Sequence, residues 1–219
     1  MYRREIKHRI DYNQLNSVYK KLNLNSFYKI YDDRIINNIY FDSPSLNKFF
    51  ANDDGISERN KFRIRWYGNN SNTYDYRLEI KIKKEFINKK NILKFRLDKS
   101  SCLENYYSFC NSAFNKILDQ NPETYYKYKM DTLEPSLINN YEREYFYNSN
   151  RRVRITIDKK LNFISPKTEL NTYEKKVILE IKFEDPDALR KLDLDFGDCV
   201  KYSKYAKGII STNNLINIY

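Results

Sequence analysis

Histidine is almost missing from this chain: among 219 residues there is one, His8. No Ser/His/Asp or Cys/His catalytic set can be assembled around it, and at the start of a charged strand pattern it reads as a surface residue rather than a catalytic base. Cysteine is nearly as scarce. Cys102, Cys110 and Cys199 are odd in number and lack metal-ligand spacing, so they read as reduced thiols and place the protein in the cytoplasm. No G-x-x-x-x-G-K-[ST] loop occurs, which excludes a P-loop nucleotide site. No apolar run approaches the roughly 18–20 residues of a membrane span. The N-terminus enters a charged pattern at once, without the apolar segment of a signal peptide. Nor is there a Pro/Gly-rich linker, a low-complexity tail or a helical repeat, so one domain over residues 1–219 is expected.

What the chain does have is charge arranged with period two. Glu5-Ile6-Lys7, Glu79-Ile80-Lys81 and Glu180-Ile181-Lys182 repeat one pattern. Lys61-Phe62-Arg63-Ile64-Arg65-Trp66 puts a basic residue at every second position, as do Lys94-Phe95-Arg96-Leu97 and Arg152-Val153-Arg154-Ile155. Alternation sends successive side chains to opposite faces of a strand, so each segment has one apolar and one charged face.

Eight strands are expected, over 3–10, 35–42, 60–67, 75–84, 91–98, 139–147, 151–158 and 176–184. Gly68-Asn69-Asn70-Ser71-Asn72 and Asn148-Ser149-Asn150 carry hairpin signals. Helices are expected over 11–23, with Asp11 as N-cap, over roughly 101–130, from Asp185-Pro186-Asp187, and after Ser203. Hairpin-joined strands with helices in the connections predict an α+β domain with a mainly antiparallel sheet. Eight strands suffice for a closed barrel, although alternation alone does not specify closure.

A net charge of +11 points to an anionic partner. Lysine is the weaker part of that signal, because the chain is broadly rich in Asn, Ile, Lys and Tyr. Arginine position is the stronger part: Arg63, Arg65, Arg96, Arg143, Arg152 and Arg154 all fall in strand-like runs, and a guanidinium fork suits phosphate oxygens. A charged strand face is ordinarily just solvated. Faces dominated by Lys and Arg over several strands crowd like charges, however, and a polyphosphate ligand would account for that. Glu180 reads either as a salt-bridge partner or as an oxygen ligand for Mg²⁺ or Mn²⁺, with Glu5 and Glu79 as further candidates. Basic charge interleaved with tyrosine also fits a nucleic-acid stacking platform; that reading needs an open, exposed face and is the weaker one, so no nucleic acid is expected.

Arg4-Glu5-Ile6-Lys7, Asn38-Ile39-Tyr40-Phe41-Asp42, Lys61-Phe62-Arg63-Ile64-Arg65-Trp66-Tyr67-Gly68, Leu78-Glu79-Ile80-Lys81, Tyr141-Glu142-Arg143, Arg152 to Asp158, Leu179-Glu180-Ile181-Lys182 and Lys201-Tyr202-Ser203-Lys204-Tyr205 occur in one order. As an ordered set they resemble the VTC domain, the polyphosphate polymerase branch of the triphosphate tunnel metalloenzymes. Other tunnel enzymes have a fuller E-x-E-x-K in the first strand. Here its first position is Arg3, which favours the VTC branch over a thiamine-triphosphatase or adenylate-cyclase type.

The resemblance implies an eight-stranded antiparallel β-barrel, a tunnel with helices packed outside. It implies transfer of the ATP γ-phosphoryl group to a growing inorganic polyphosphate chain with release of ADP. Lys7, Arg63, Arg65 and Lys81 would be catalytic; Lys94, Arg143, Arg154, Lys201, Ser203 and Lys204 would bind phosphate; Glu180 would hold Mn²⁺ or Mg²⁺. Partners would be ATP and inorganic polyphosphate or triphosphate. A tunnel triphosphatase and a non-catalytic polyphosphate-binding module are the alternatives. Residues 100–135 match nothing in the family pattern.

Overall fold

Alternation becomes sheet wherever its apolar half can be covered. The protein, seen in a computed structural model, is described over residues 4–68, 75–85, 87–97, 105–192 and 194–213. Nine strands occur among these: β1 (Arg4–Ile10), β2 (Tyr28–Asp42), β3 (Glu58–Tyr67), β4 (Asp75–Lys84), β5 (Ile87–Arg96), β6 (Glu134–Asn148), β7 (Val153–Ile164), β8 (Asn171–Tyr173) and β9 (Val177–Phe183). Six helices accompany them: α1 (Leu15–Leu24), α2 (Asn47–Asp53), α3 (Tyr106–Gln120), α4 (Pro122–Lys127), α5 (Pro186–Arg190) and α6 (Lys204–Thr212). The sheet is antiparallel in every register given below, and its hydrogen-bonded order is β1-β9-β7-β6-β2-β3-β4-β5, with β8 on β7.

All eight expected strands are present. β8 is the ninth; its three residues are too few to show a period. β2 is longer than expected because residues 28–34, mostly exposed, lack apolar alternation; β6 also starts earlier than expected, at Glu134, and no residue of it is exposed. The expected hairpin at Gly68–Asn72 lies outside the described residues from 69 onward. The one at Asn148 is present: the Asn148 side-chain oxygen accepts from Arg151 N at 2.8 Å, and Arg152 sits in the turn at φ 54° rather than in a strand. Short α2 was not expected; its start is set by Asp42 at the end of β2. Asp42 accepts backbone N–H bonds from Lys48 and Phe49 at 2.9 and 2.8 Å.

The chain forms two compact units. One comprises Met1–Ile35, Tyr141–Asn162 and Tyr173–Tyr202; the other comprises Ile36–Asn140, Phe163–Thr172 and Ser203–Tyr219. Each is assembled from three chain segments, and β2 and β6 run through both. In the first unit, Val18 and Leu22 of α1 pack with Val153, Ile155 and Ile157 of β7 and Val177, Leu179 and Ile181 of β9. In the second, Phe62, Ile64 and Trp66 of β3 and Leu78 and Ile80 of β4 meet Phe109, Cys110, Ala113, Phe114 and Ile117 of α3. That spacing is one helical stripe, by which α3 covers the apolar face of β3 and β4. Each fully buried side chain of this size contributes about 1.5–3 kcal/mol. Asn105 caps α3 by accepting from the Tyr107 and Ser108 N–H groups at 3.0 and 3.1 Å.

Gly208 lets α6 approach closely within the second unit. A Cβ there would lie 2.4 and 2.8 Å from the Leu137 methyls and 2.8 Å from the Phe163 ring. Gly208→Ala gains about 1 kcal/mol of helix propensity but overpacks a filled core, at about 1–3 kcal/mol. A net loss of stability is expected, read as a lower urea midpoint with an unchanged m-value. An equal or higher midpoint would show that the Leu137 side chain moves aside freely.

Candidate functional site

Pairing in the second unit stacks the charged halves of four strands into rows. Arg63 of β3 lies opposite Tyr40 of β2 on one side and Glu79 of β4 on the other, and Glu79 lies opposite Ile92 of β5. In the next rows, Arg65 stands opposite Asn38 and Arg77, and Lys81 opposite Lys61 and Lys90. One carboxylate holds this face together. Glu79 is buried; it accepts from Arg63 Nε at 2.7 Å and pairs with Lys90 Nζ at 2.8 Å. Arg65 is buried and donates to Asn38 Oδ1 at 2.8 Å, and Asn38 in turn donates to Asn139 at 2.7 Å. Arg63 also reaches the Tyr40 hydroxyl at 3.3 Å.

Burial by itself would raise the Glu79 carboxyl. The charges of Arg63 and Arg65, with the Lys90 hydrogen bond, outweigh it and hold the group at about 2. The Lys90 ammonium is lowered too: burial is the main cause, Glu79 opposes it, and the charges of Arg63 and Arg65 add to the lowering. At the edge of this face Ser203 is the N-cap of α6, accepting from Ala206 N at 3.4 Å and from Lys61 Nζ at 3.2 Å. Lys204 is the first residue of that helix.

In the first unit the charged face is built on β1, β9 and β7. Glu5 stands opposite Lys182 and Lys7 opposite Glu180; on the other side of β9, Lys182 faces Arg154 and Glu180 faces Thr156. Glu180 is buried, ion-paired to Lys182 and 3.8 Å from Lys7 Nζ. Lys7 also pairs with Glu5 at 3.1 Å and donates to the Tyr202 carbonyl at 2.9 Å. The stretch that follows Cys199 runs beside β1, with Val200 N donating to the Lys7 carbonyl at 2.8 Å. Between them lies an open cleft of about 390 Å³, with Glu5, Lys7, Cys199 and Lys201 on its walls.

Arg143 has a different setting. Its fork is bidentate on fully buried Asp158, at 2.5 and 2.7 Å, and its guanidinium lies over Tyr141 and Tyr145 at 5.2 and 5.9 Å. Burial opposes the charge, but Asp158 overrides it and the Arg143 pKa is raised.

The proposed site residues therefore form two groups, Lys7, Arg143, Arg154, Lys201 and Glu180 in one unit and Arg63, Arg65, Lys81, Lys94, Ser203 and Lys204 in the other. Lys81, Lys94, Arg154 and Lys201 are exposed. Lys94 stands opposite Arg77, and Arg154 lies 5.6 Å from the centre of the Tyr147 ring. Sequence reasoning passed over Lys90, Asn38 and Tyr40. The signal for Lys90 was present, since it precedes Lys94 by an even number of residues and so shares its face. Both expectations for His8 are overturned: a cysteine does stand beside it, with the Cys199 sulfur 4.0 Å from Nε2, and it is not at the surface. His8 is buried, not a surface residue, because residues 196–199 fold over it: Phe196 meets the ring edge at 5.8 Å, and Nδ1 lies 2.9 Å from the Gly197 carbonyl.

The Glu79 pairing makes a pH prediction. Its folded value of about 2 lies below the ordinary 4.5, so its contribution is complete above about 4.5 and is lost as pH falls toward 2. The full depression corresponds to about 3 kcal/mol. Glu79→Gln should be less stable than the native chain at pH 7 and show a flatter stability profile between pH 5 and 2, measured by urea unfolding. Parallel profiles would show that other carboxylates carry the acid sensitivity.

The family model described as the VTC domain matches residues 2–213. Among solved structures, a candidate adenylate cyclase from Vibrio parahaemolyticus aligns with a TM-score of 0.53 at 12% identity, covering 97% of this chain and 99% of that one. A protein from Pyrococcus horikoshii OT3 aligns at 0.49 and 16% identity, covering 94% and 97%. A candidate adenylyl cyclase from Hippeastrum, described as having a dominant triphosphatase activity, aligns at 0.45 and 14%, covering 88% and 84%. No curated protein matches the chain in sequence. At these identities the Vibrio structure speaks to the fold alone, whereas the family match spans nearly every residue: the chain belongs to the VTC-domain family.

Proposed function

We propose that residues 1–219 act as one metal-dependent polyphosphate polymerase. It would bind ATP and inorganic polyphosphate along its cationic strand faces, with the sheet closed as the tunnel-like barrel of the family resemblance, and transfer the γ-phosphoryl group to the growing chain. The observation that carries this reading is the pairing of Arg63 and Lys90 with the single carboxylate of Glu79, within the field of Arg65. Three cations around one anion on a half-buried face leave positive charge that an extended phosphoanion would neutralise. Membership of the VTC-domain family supports the same assignment.

Phosphoryl transfer through a loose transition state asks mainly for positioning and for stabilisation of charge on the equatorial oxygens. In this reading Arg63 and Arg65 present fixed guanidinium groups, held in place by Glu79 and Asn38, to those oxygens. Lys81 and Lys94 extend the cationic track. Ser203 and Lys204 offer a hydroxyl, an ammonium and the positive end of α6 to a terminal phosphate. Lys7, Arg154 and Lys201 do the same on the other unit's face. Arg143 serves through its pairing with Asp158, which orders that face. No histidine base is required, and buried His8 is not placed to be one.

Glu180 would hold the divalent cation, Mn²⁺ or Mg²⁺. No group of three or more His, Cys, Asp or Glu gathers among the described residues. A hard cation in phosphate chemistry is commonly held by one or two carboxylates, with phosphate and water oxygens completing its shell. Glu180, with Glu5 also in reach of Lys7, fits that donor set. The cation would neutralise phosphate charge when bound.

Incubation with ATP and Mn²⁺, followed by product analysis, tests the activity: long chains plus ADP are expected, and orthophosphate instead would make the protein a triphosphatase. Tripolyphosphate should raise the melting temperature more than orthophosphate at matched ionic strength. A ligand at a hundredfold excess over Kd stabilises by about 2.7 kcal/mol. Equal shifts would leave only a nonspecific basic surface. Glu180→Gln should abolish turnover while ATP still binds; turnover within a few-fold of the native chain across a Mn²⁺ titration would remove Glu180 as the metal ligand.

A further inference from the structure

His8 and Cys199 are 191 residues apart in sequence, yet they pair across an isolated antiparallel bridge, and the Cys199 sulfur lies 4.0 Å from His8 Nε2. The imidazole is 4% exposed. Its other nitrogen, Nδ1, lies 2.9 Å from the Gly197 carbonyl, which can only accept, so Nδ1 carries the proton in the neutral ring and Nε2 presents a lone pair to the thiol. Phe196 packs edge-on against the ring and fixes its plane. Cys199 is an exposed residue and forms part of the cleft wall, with exposed Lys201 two residues on and Lys7 alongside. Cys110 is the opposite case: it is buried in the other unit's core, and burial pushes its thiol well up.

We propose that Cys199 is a thiol-exchange site, with His8 as its proton acceptor and the Lys7–Lys201 cleft as a seat for small disulfides bearing carboxylates, of the glutathione class. The thiolate is the attacking form of cysteine, so an immobile imidazole lone pair facing an accessible sulfur is the arrangement that exchange needs. The Cys199 proton passes to Nε2, and the sulfur forms a bond to one sulfur of the incoming disulfide. The disulfide's own S–S bond breaks, and the departing thiolate takes up a proton, leaving one mixed disulfide and one free thiol. The charged groups on the cleft walls are Lys7, Lys201 and Glu5. Lys7 is already paired with Glu5, which leaves Lys201, with no ion pair among the described residues, as the side chain that would select for anionic reagents. The mixed disulfide would place a carboxylate against Lys201. This assignment is independent of the polymerase reading, because its readout is a modification rate and not turnover.

The test uses the full chain with glutathione disulfide, which is anionic, and cystamine, which is cationic, followed by peptide mass mapping at each cysteine. In the folded protein Cys199 should exchange at least about tenfold faster than the same cysteine in the urea-unfolded chain, with Cys110 unreacted. The rate ratio of glutathione disulfide to cystamine should exceed that of the unfolded chain, and Lys201→Gln should bring it back toward the unfolded value. His8→Gln, where circular dichroism shows it folded, should slow both reagents without changing their ratio. Cys199 exchanging no faster in the folded than in the unfolded native chain would overturn the proposal whatever the variants do. So would a folded His8→Gln protein with native rates.

Discussion

Glu79 and its three cationic neighbours set the terms for the second unit. Alternation forces Arg63 and Arg65 onto one face of β3, and pairing then brings Arg77, Lys81 and Lys90 alongside. Like charges that close oppose sheet formation. A buried carboxylate ion-paired to two of them and within the field of a third lets β3, β4 and β5 keep their register while the face stays cationic. The other unit meets the same constraint with Glu180 between Lys7 and Lys182 and with Asp158 under Arg143. Each carboxylate orders cations and leaves the local balance positive or nearly neutral.

The opposite faces of the same strands make this charged arrangement affordable. Phe62, Ile64 and Trp66 alternate with Lys61, Arg63 and Arg65, and every one of the three is buried under α3 or its neighbours. Ile155 and Ile157 do the same on β7, beneath α1. A one-residue slip in any of these pairings would exchange the two faces and bury guanidinium groups in the core, so the charge pattern and the apolar pattern fix the register together.

Residues 196–202 show how a connecting segment can matter as much as a strand. They follow α5 with no regular structure, yet they close over His8, donate to the Lys7 carbonyl and carry Lys201 to the cleft. Tyr202 anchors the end of the segment: its hydroxyl donates to Glu174, whose carboxylate also holds Arg9 at 2.7 Å. Lys7 is thereby held by backbone and side-chain partners on several sides.

The sequence by itself determined the strands, because period-two alternation is a local property. Lys61 to Trp66 and Val177 to Phe183 can be read as strands, and Asp185-Pro186 and Ser203 as helix starts, from their own chemistry. It also determined which residues carry the charge, and the ordered motifs were enough to show the family. Tertiary structure decided what each charge does. Nothing local says that Arg143 spends its fork on Asp158, that Glu79 answers to Lys90, or that Lys61 reaches Ser203 across 142 residues of chain. Nothing local removes His8 from the surface either, since its cover comes from the far end of the sequence. Faces are set by neighbours one and two residues away; partners are set by pairing between distant strands, and only the folded chain brings them within hydrogen-bond distance.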